Sequence, residues 1–164
     1  MFEKLETPEQ IFSFKLGAAL KMEKTVLDML GELQEKTQRK ELRDLFAHHA
    51  DETREHISRI ERSFELLGEE VDESPCPAIE GLEKEGQATM KKTDDRIVDA
   101  VILAGATETE HHEIAVYETL VTNADARGAS EVADLLRMNL EEEEHTLEEV
   151  KEAAKRISLE GIAV

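Results

Sequence analysis

The sequence predicts an all-α protein, a four-helix bundle made of two helical hairpins joined by a long crossover that carries a short extra helix. Three observations lead there. In 164 residues, 36% are charged and 4% aromatic, with no tryptophan, three prolines and eight glycines, a composition that favours long charged helices over strands. Four long segments space their apolar residues by three and four, as one face of a helix requires. Between the second and third of them, over residues 69–93, the pattern lapses into a stretch rich in Glu, Pro and Gly. A chain of this length buries a core without disulfides or structural zinc, so a single domain over 1–164 is expected.

Thr7-Pro8-Glu9-Gln10 reads as a helix start, with Thr7 as N-cap, Pro8 at the first helical position and Gln10 closing a capping box. The first helix is predicted over 8–36, with a stripe of Phe12, Leu16, Ala19, Leu20, Glu23, Val26, Leu27, Leu30 and Leu33 whose one charge is Glu23. A second, over 38–67, follows after a connection short enough to make the two antiparallel neighbours, and Gly68 supplies its terminator. Its stripe is Leu42, Leu45, Phe46, His49, Glu52, His56, Ile60, Phe64 and Leu67, which turns polar between Phe46 and Ile60. Within the crossover a short helix is expected from Ala78 to Lys91. Asp94 or Asp95 caps a third long helix over 95–126, with Gly128 after it, and Ser130 opens a fourth over 130–158. A shift of 90 residues lays Glu23 on Glu113, Glu52 on Glu142, Leu45 and Phe46 on Leu135 and Leu136, and Ile60 on Val150, so the halves read as two copies of one hairpin.

The formal net charge of -19 excludes the clustered Lys and Arg that nucleic-acid backbones require, so no nucleic-acid partner is expected. No apolar run reaches the roughly 18 residues of a membrane span, and the charged N-terminus from Met1 to Thr7 lacks the arrangement of a secretory signal. The single cysteine, Cys76 in Ser74-Pro75-Cys76-Pro77, permits no internal disulfide and reads as a loop thiol in a reducing compartment. A cytoplasmic protein without membrane contact is expected.

Carboxylates that interrupt an apolar stripe are costly to desolvate and call for a compensating cation. Glu23 stands on the first helix, Glu52 and His56 on the second, Glu110-His111-His112-Glu113 on the third, and Glu142, Glu143 and His145 on the fourth. One Glu from each of two helices and a Glu-x-x-His pair from each of the others describe a dinuclear metal site in a bundle. Glu142-x-x-His145 has that spacing. On the second helix the residue three after Glu52 is Glu55 and the histidine comes one later; His56 is preferred because it lies nearer the stripe, with Glu55 in reserve and His49 as a partner behind the ligands. Consecutive residues point about 100° apart, so the run Glu141 to Glu144 does not all face inward: Glu143 is nearer the stripe, Glu142 pairs with His145, and both stay open. Glu110 and Glu113 stay open likewise. A Glu run is ordinarily a solvated face and a lone inward His ordinarily a satisfied core residue, but their coincidence on four helices favours metal. Three roles are open to Tyr117: a packing ring, a hydrogen-bond donor behind a ligand, or a radical sink.

At Glu110-His111-His112-Glu113, followed by Ile114-Ala115-Val116-Tyr117, the chain resembles rubrerythrin-like members of the ferritin superfamily. More closely it resembles the bacterial stress-associated YciF/YciE family, through Glu52-Thr53, Ile57, Arg59-Ile60, Ala78-Ile79-Glu80-Gly81-Leu82, Glu110-His111, Glu113-Ile114-Ala115, Tyr117 and Leu140 to Glu143. The resemblance implies a ferritin-like bundle, a homodimer and a dinuclear metal centre. Lone Cys76 leaves no rubredoxin-like four-cysteine site, so electrons would come from another protein or from the substrate.

The function expected is that of a dinuclear transition-metal protein, iron first and manganese or zinc open, reacting with O2 or H2O2 as a ferroxidase or peroxidase in stress protection. The alternative is a non-enzymatic helical metal-binding or assembly module.

Overall fold

A computed structural model describes residues 4–162; Met1 to Glu3, part of the charged N-terminus read above, lie outside the described residues. The expected helices form. They are α1 (Pro8–Lys36), α2 (Lys40–Leu67), the short α3 (Pro77–Lys91), α4 (Val98–Ala126) and α5 (Ser130–Ile162), and no strand occurs among the described residues.

The start of α1 is fixed as its sequence requires: Gln10 N–H donates to Thr7 Oγ1 at 3.2 Å, and the Gln10 side-chain oxygen accepts from Thr7 N–H at 3.2 Å. At the end of α2, Gly68 takes φ 72°, the left-handed conformation that lets two backbone N–H groups reach carbonyls of the last turn. The starts of α2 and α4 come later than predicted, α3 begins one residue earlier and α5 runs past the predicted 158 to Ile162. Asp99, buried on the first turn of α4, accepts from Thr37 Oγ1 at 2.7 Å and from Gln38 N–H at 2.8 Å, while Arg39 Nε stands 3.6 Å away. Residues 37–39 are thus held extended and α2 begins at Lys40 instead of 38. Asp94 caps only a 3₁₀ turn, Asp95–Ile97, before α4 begins at Val98. Cys76 ends the loop before α3 as its N-cap, and is buried there.

End contacts give the topology that loop length left open. Thr37, after α1, meets Asp99 at the start of α4, and Arg127, after α4, donates to the Pro8 carbonyl at the start of α1 and lies over the Phe12 ring. So α1 and α4 run antiparallel. Arg39 pairs with Glu160 at 2.7 Å, which makes α2 and α5 antiparallel too. Each long helix therefore runs against both neighbours around the ring α1, α2, α5, α4. The crossover must climb the whole bundle, and α3 fills part of that climb against α1 and α4.

Large buried side chains form an apolar layer at each end, Phe12, Leu16, Phe64, Leu120 and Leu136 in one and Leu30, Leu42, Phe46, Ile102 and Val150 in the other. Burying them drives the collapse of the four stripes. The layer between is polar. The crossover presses on α1 at Gly17, where an added Cβ would lie 2.7 Å from the Asp72 carbonyl oxygen and 2.8 Å from Ser74 Oγ. Gly17→Ala is expected to cost about 1–3 kcal/mol of overpacking, only partly offset by roughly 1 kcal/mol of better helix propensity. A lowered urea midpoint checks it, and an unchanged or raised one would show that the crossover yields freely.

Candidate metal centre

The polar layer is built by position on four helices. On α2 the inward stripe continues as Phe46, His49, Thr53, His56 and Ile60, spaced three and four, and His49, Thr53 and His56 are all buried. On α5 the corresponding stripe is Leu136, Asn139, Glu143, Thr146 and Val150. α1 contributes Glu23, and α4 contributes Glu110, Glu113 and Tyr117, one turn apart.

These side chains make two overlapping groups. Ligand-capable atoms of His49, Glu110, Glu113 and Glu143 lie within 4.8 Å of one another, and so do those of Glu23, His56 and Glu143. Glu143 belongs to both. Its Oε1 stands 3.0 Å from His56 Nδ1 and its Oε2 3.5 Å from His49 Nε2, neither at an angle that makes a hydrogen bond.

Each imidazole is tied on its outer nitrogen. His49 Nδ1–H donates to Glu52 Oε2 at 3.3 Å with Thr146 Oγ1 3.2 Å away, and His56 Nε2–H donates to Glu142 Oε2 at 2.8 Å. The inner nitrogens, His49 Nε2 and His56 Nδ1, are left to face the carboxylates. Glu142 is itself gripped by Arg59 through two bonds of 2.6 and 3.1 Å. Glu23 accepts from the Tyr117 hydroxyl, which in turn accepts from Asn139 Nδ2 at 3.0 Å, and Asn139 Oδ1 accepts from Arg59 Nη1 at 3.0 Å. Such outer partners orient ligands and raise their basicity.

Among the described residues, every buried side-chain nitrogen or oxygen without a hydrogen-bond partner belongs to this layer: eight atoms, on Glu23, His49, His56, Glu110, Glu113 and Glu143. Both oxygens of Glu113 and both of Glu143 are among them. Buried polar atoms are otherwise almost always paired, and a converging set of carboxylate oxygens and bare imidazole nitrogens is the donor set of a divalent transition metal. The residues fit one.

The electrostatics agree. Burial, then the charges of Glu143, Glu23 and Glu110, drives the Glu113 carboxyl well above its usual range. Burial, with Glu23 and Glu110 adding to it against the His56 contact and the His49 charge, raises Glu143 to about 8. Burial pulls His56 down, but the Glu23 charge and contacts with Glu142 and Glu143 outweigh it and push the ring up to about 12. Hydrogen bonds from His56 and Arg59 hold Glu142 down to about 2 against its burial. Burial and the Glu23 and Glu143 charges raise Tyr117 far above a free phenol. Crowded acid groups thus keep protons, and imidazoles keep positive charge, as substitutes for a cation.

Of the residues singled out in the sequence, Glu23, His56, Glu110, Glu113 and Glu143 meet in the cluster, and Tyr117 stands behind Glu23 as a donor. Glu52 and Glu142 do not enter it; they are the half-buried carboxylates that orient His49 and His56. His49, expected behind the ligands, is in the cluster itself. His145 is 70% exposed and faces Glu149 on the outer side of α5, because two residues from Glu143 is about 200° of helix rotation. Glu55 is exposed, as is His111, and half-buried His112 approaches Cys76 Sγ at 4.0 Å, away from the layer. Asn139, Thr146 and Arg59 were missed. The first two carried a signal, since polar residues spaced three and four from Leu136 and Glu143 lie on the buried stripe.

A model of the family described as domain of unknown function, DUF892, matches residues 7–163. This chain belongs to the DUF892 family. It is 33% identical to the protein YciF of Escherichia coli K12 over 144 residues, 87% of each chain. The solved structure of that E. coli stress protein matches with a TM-score of 0.88 at 30% identity, over 94% of this chain and 98% of the other. A DUF892-like fold is also seen in YcfI of Rhodopseudomonas palustris, provisionally described as a structural protein, with a TM-score of 0.88, 30% identity and coverage of 92% and 97%. A Xanthomonas campestris protein at 23% identity, with a TM-score of 0.75 over 96% and 97% of the two chains, shares the fold. The all-α bundle and the kinship with the stress protein YciF agree with the sequence reading. No helix among the described residues is long and apolar enough to cross a membrane.

Proposed function

We propose that this DUF892 chain is a ferritin-like dinuclear metal protein of stress protection, holding two transition-metal ions, iron first, that react with dioxygen or hydrogen peroxide. The observation that carries the reading is the convergence of eight unpartnered buried atoms from six Glu and His side chains. Glu23, His56 and Glu143 would hold one ion and His49, Glu110, Glu113 and Glu143 the other, Glu143 belonging to both groups. When bound, such a pair supplies electrons and open positions for a small oxidant.

The residues of the chain set the conditions. Glu52 and Glu142 fix the ring orientation of His49 and His56 so that His49 Nε2 and His56 Nδ1 face inward and would offer lone pairs to a cation that displaces their protons. Tyr117 and Asn139 hold Glu23 in place, and the apolar layers above and below keep bulk water out. Burial favours the protonated form of Glu113, and a bound cation would favour its carboxylate. The family resemblance adds a homodimer to this reading, and charge, cysteine usage and hydropathy add a cytoplasmic place with neither nucleic acid nor membrane as partner; the mass in solution tests the dimer.

Elemental analysis of untagged protein purified without added metal tests the centre, followed by oxidant consumption after anaerobic Fe(II) loading. About two iron or manganese ions per chain, with O2 or H2O2 consumed above free-iron controls, are expected. Two zinc ions and no consumption would remove the redox reading. Under about one ion, not restored by Fe(II), would leave a non-enzymatic helical assembly module in its place.

A further inference from the structure

We infer that the cleft between α1, α3 and α4 is a binding and entry site for a small apolar molecule of dioxygen's size, which it delivers to the Glu110 side of the cluster. The delivery step rests on the function proposed above; the binding site does not. The cleft has a volume of about 50 Å³, room for roughly three to five water-sized spheres. It follows α4 from Val101 past Gly105 and Ala106 to Thr109 and Glu110, with Met29 and Leu33 of α1 opposite and Leu82 and Met90 of α3 over the top. At its outer edge Gln87 of α3 donates to Glu32 of α1 at 3.0 Å. Its deep end is lined by Glu110 and by Thr146, the residue beside His49 Nδ1.

Polar groups therefore stand at the two ends and apolar ones between. A water needs two to four polar partners and finds none in the middle, and apolar cavities stay dry and take apolar guests. A charged or strongly hydrated molecule would lose its hydration there without compensation. The opposite side of the cluster differs. There the side chains of Arg59, Glu52 and Glu142 are 15%, 18% and 30% exposed, a polar approach between α2 and α5 suited to cations and to peroxide. Oxidants are thus sorted by polarity, dioxygen from one side and hydrogen peroxide from the other.

Two glycines keep the cleft open. A Cβ on Gly86 of α3 or on Gly105 of α4 would meet no atom within 4 Å, so each wall has room for a side chain to start into the space. The test uses the full chain with Gly105→Leu and, from the opposite wall, Gly86→Leu. Xenon, an apolar probe followed by its NMR shift, reports the site whether or not metal is bound. Wild type should bind xenon, and each variant should weaken it about tenfold by occupying the space. In Fe(II)-loaded protein the variants should slow oxidation by dioxygen about tenfold and leave the peroxide rate and metal content unchanged. No xenon binding in wild type, xenon binding unchanged in both variants, or equal slowing of both oxidants overturns the inference. If wild type consumes neither oxidant, the proposed function fails, and xenon lost from both variants still supports the apolar binding site.

Discussion

Glu143→Gln is expected to remove both metal ions, whereas Glu110→Gln removes one. The difference follows from where the oxygens point. Glu143 Oε1 faces His56 Nδ1 and Oε2 faces His49 Nε2, so one carboxylate serves both groups, while Glu110 reaches only the His49 side. An amide keeps the shape but presents an N–H donor to one position and a neutral oxygen to the other, and neither compensates a divalent charge. Metal content per chain should fall from about two to near zero in the first variant and to about one in the second. His145→Ala, on the outer face of α5, should leave it unchanged. Glu142→Gln, which disturbs only the orientation of His56, should weaken binding by about 10–100-fold. A Glu143→Gln protein that retains two ions would show that the carboxylate does not bridge them.

Glu113→Leu is expected to stabilise the metal-free protein by about 1–3 kcal/mol, because it replaces a fully buried carboxyl, neither of whose oxygens has a partner, by an apolar side chain of similar reach. The gain should grow with pH. Glu113 is raised well above its unfolded value, so above that value the folded state holds a proton that the unfolded state has released, and wild-type stability falls as pH rises through the window between the two. Leucine does not titrate, so the difference between variant and wild type widens from pH 5 to pH 8. Urea unfolding in chelator checks it. A variant less stable than wild type at both values would mean that Glu113 is satisfied by a contact not seen here. The same substitution should remove the ion on the His49 side, an exchange of stability against function that burying ligands imposes.

The inward positions of α1 and α4 were legible because their stripes are unambiguous: Glu23 falls three after Leu20 and three before Val26, and Glu110 and Glu113 share a face with Tyr117. On α2 and α5 the reading was split: His56 and Glu143 face inward, whereas Glu52 and the pair Glu142/His145 do not. Glu52 and Glu142 match each other in the internal repeat and have the spacing to a histidine that a metal motif suggests, yet both lie about 100° from the inward face marked by Thr53 and Glu143. The repeat aligned the outer partners of the imidazoles, not the carboxylates of the buried cluster. It also hid an asymmetry: the position of His49 is taken by Asn139 in the second half, and that of His56 by Thr146.

The sequence by itself determined the helices, their caps, the pairing within each hairpin and the existence of a polar layer, because periodicity, capping and turn chemistry are local and each acts over a few residues. Tertiary structure alone decided the rest. The antiparallel ring of helices depends on Asp99 reaching the α1–α2 turn and Arg39 reaching Glu160, contacts 62 and 121 residues apart in the chain. Whether a carboxylate is a ligand or a ligand's partner depends on a rotation of one residue about a helix axis, fixed only when four helices pack. The apolar cleft beside Glu110 lies where α3 packs over α4 with a glycine on each wall, Gly86 and Gly105, and no local pattern in the chain encodes an unfilled volume.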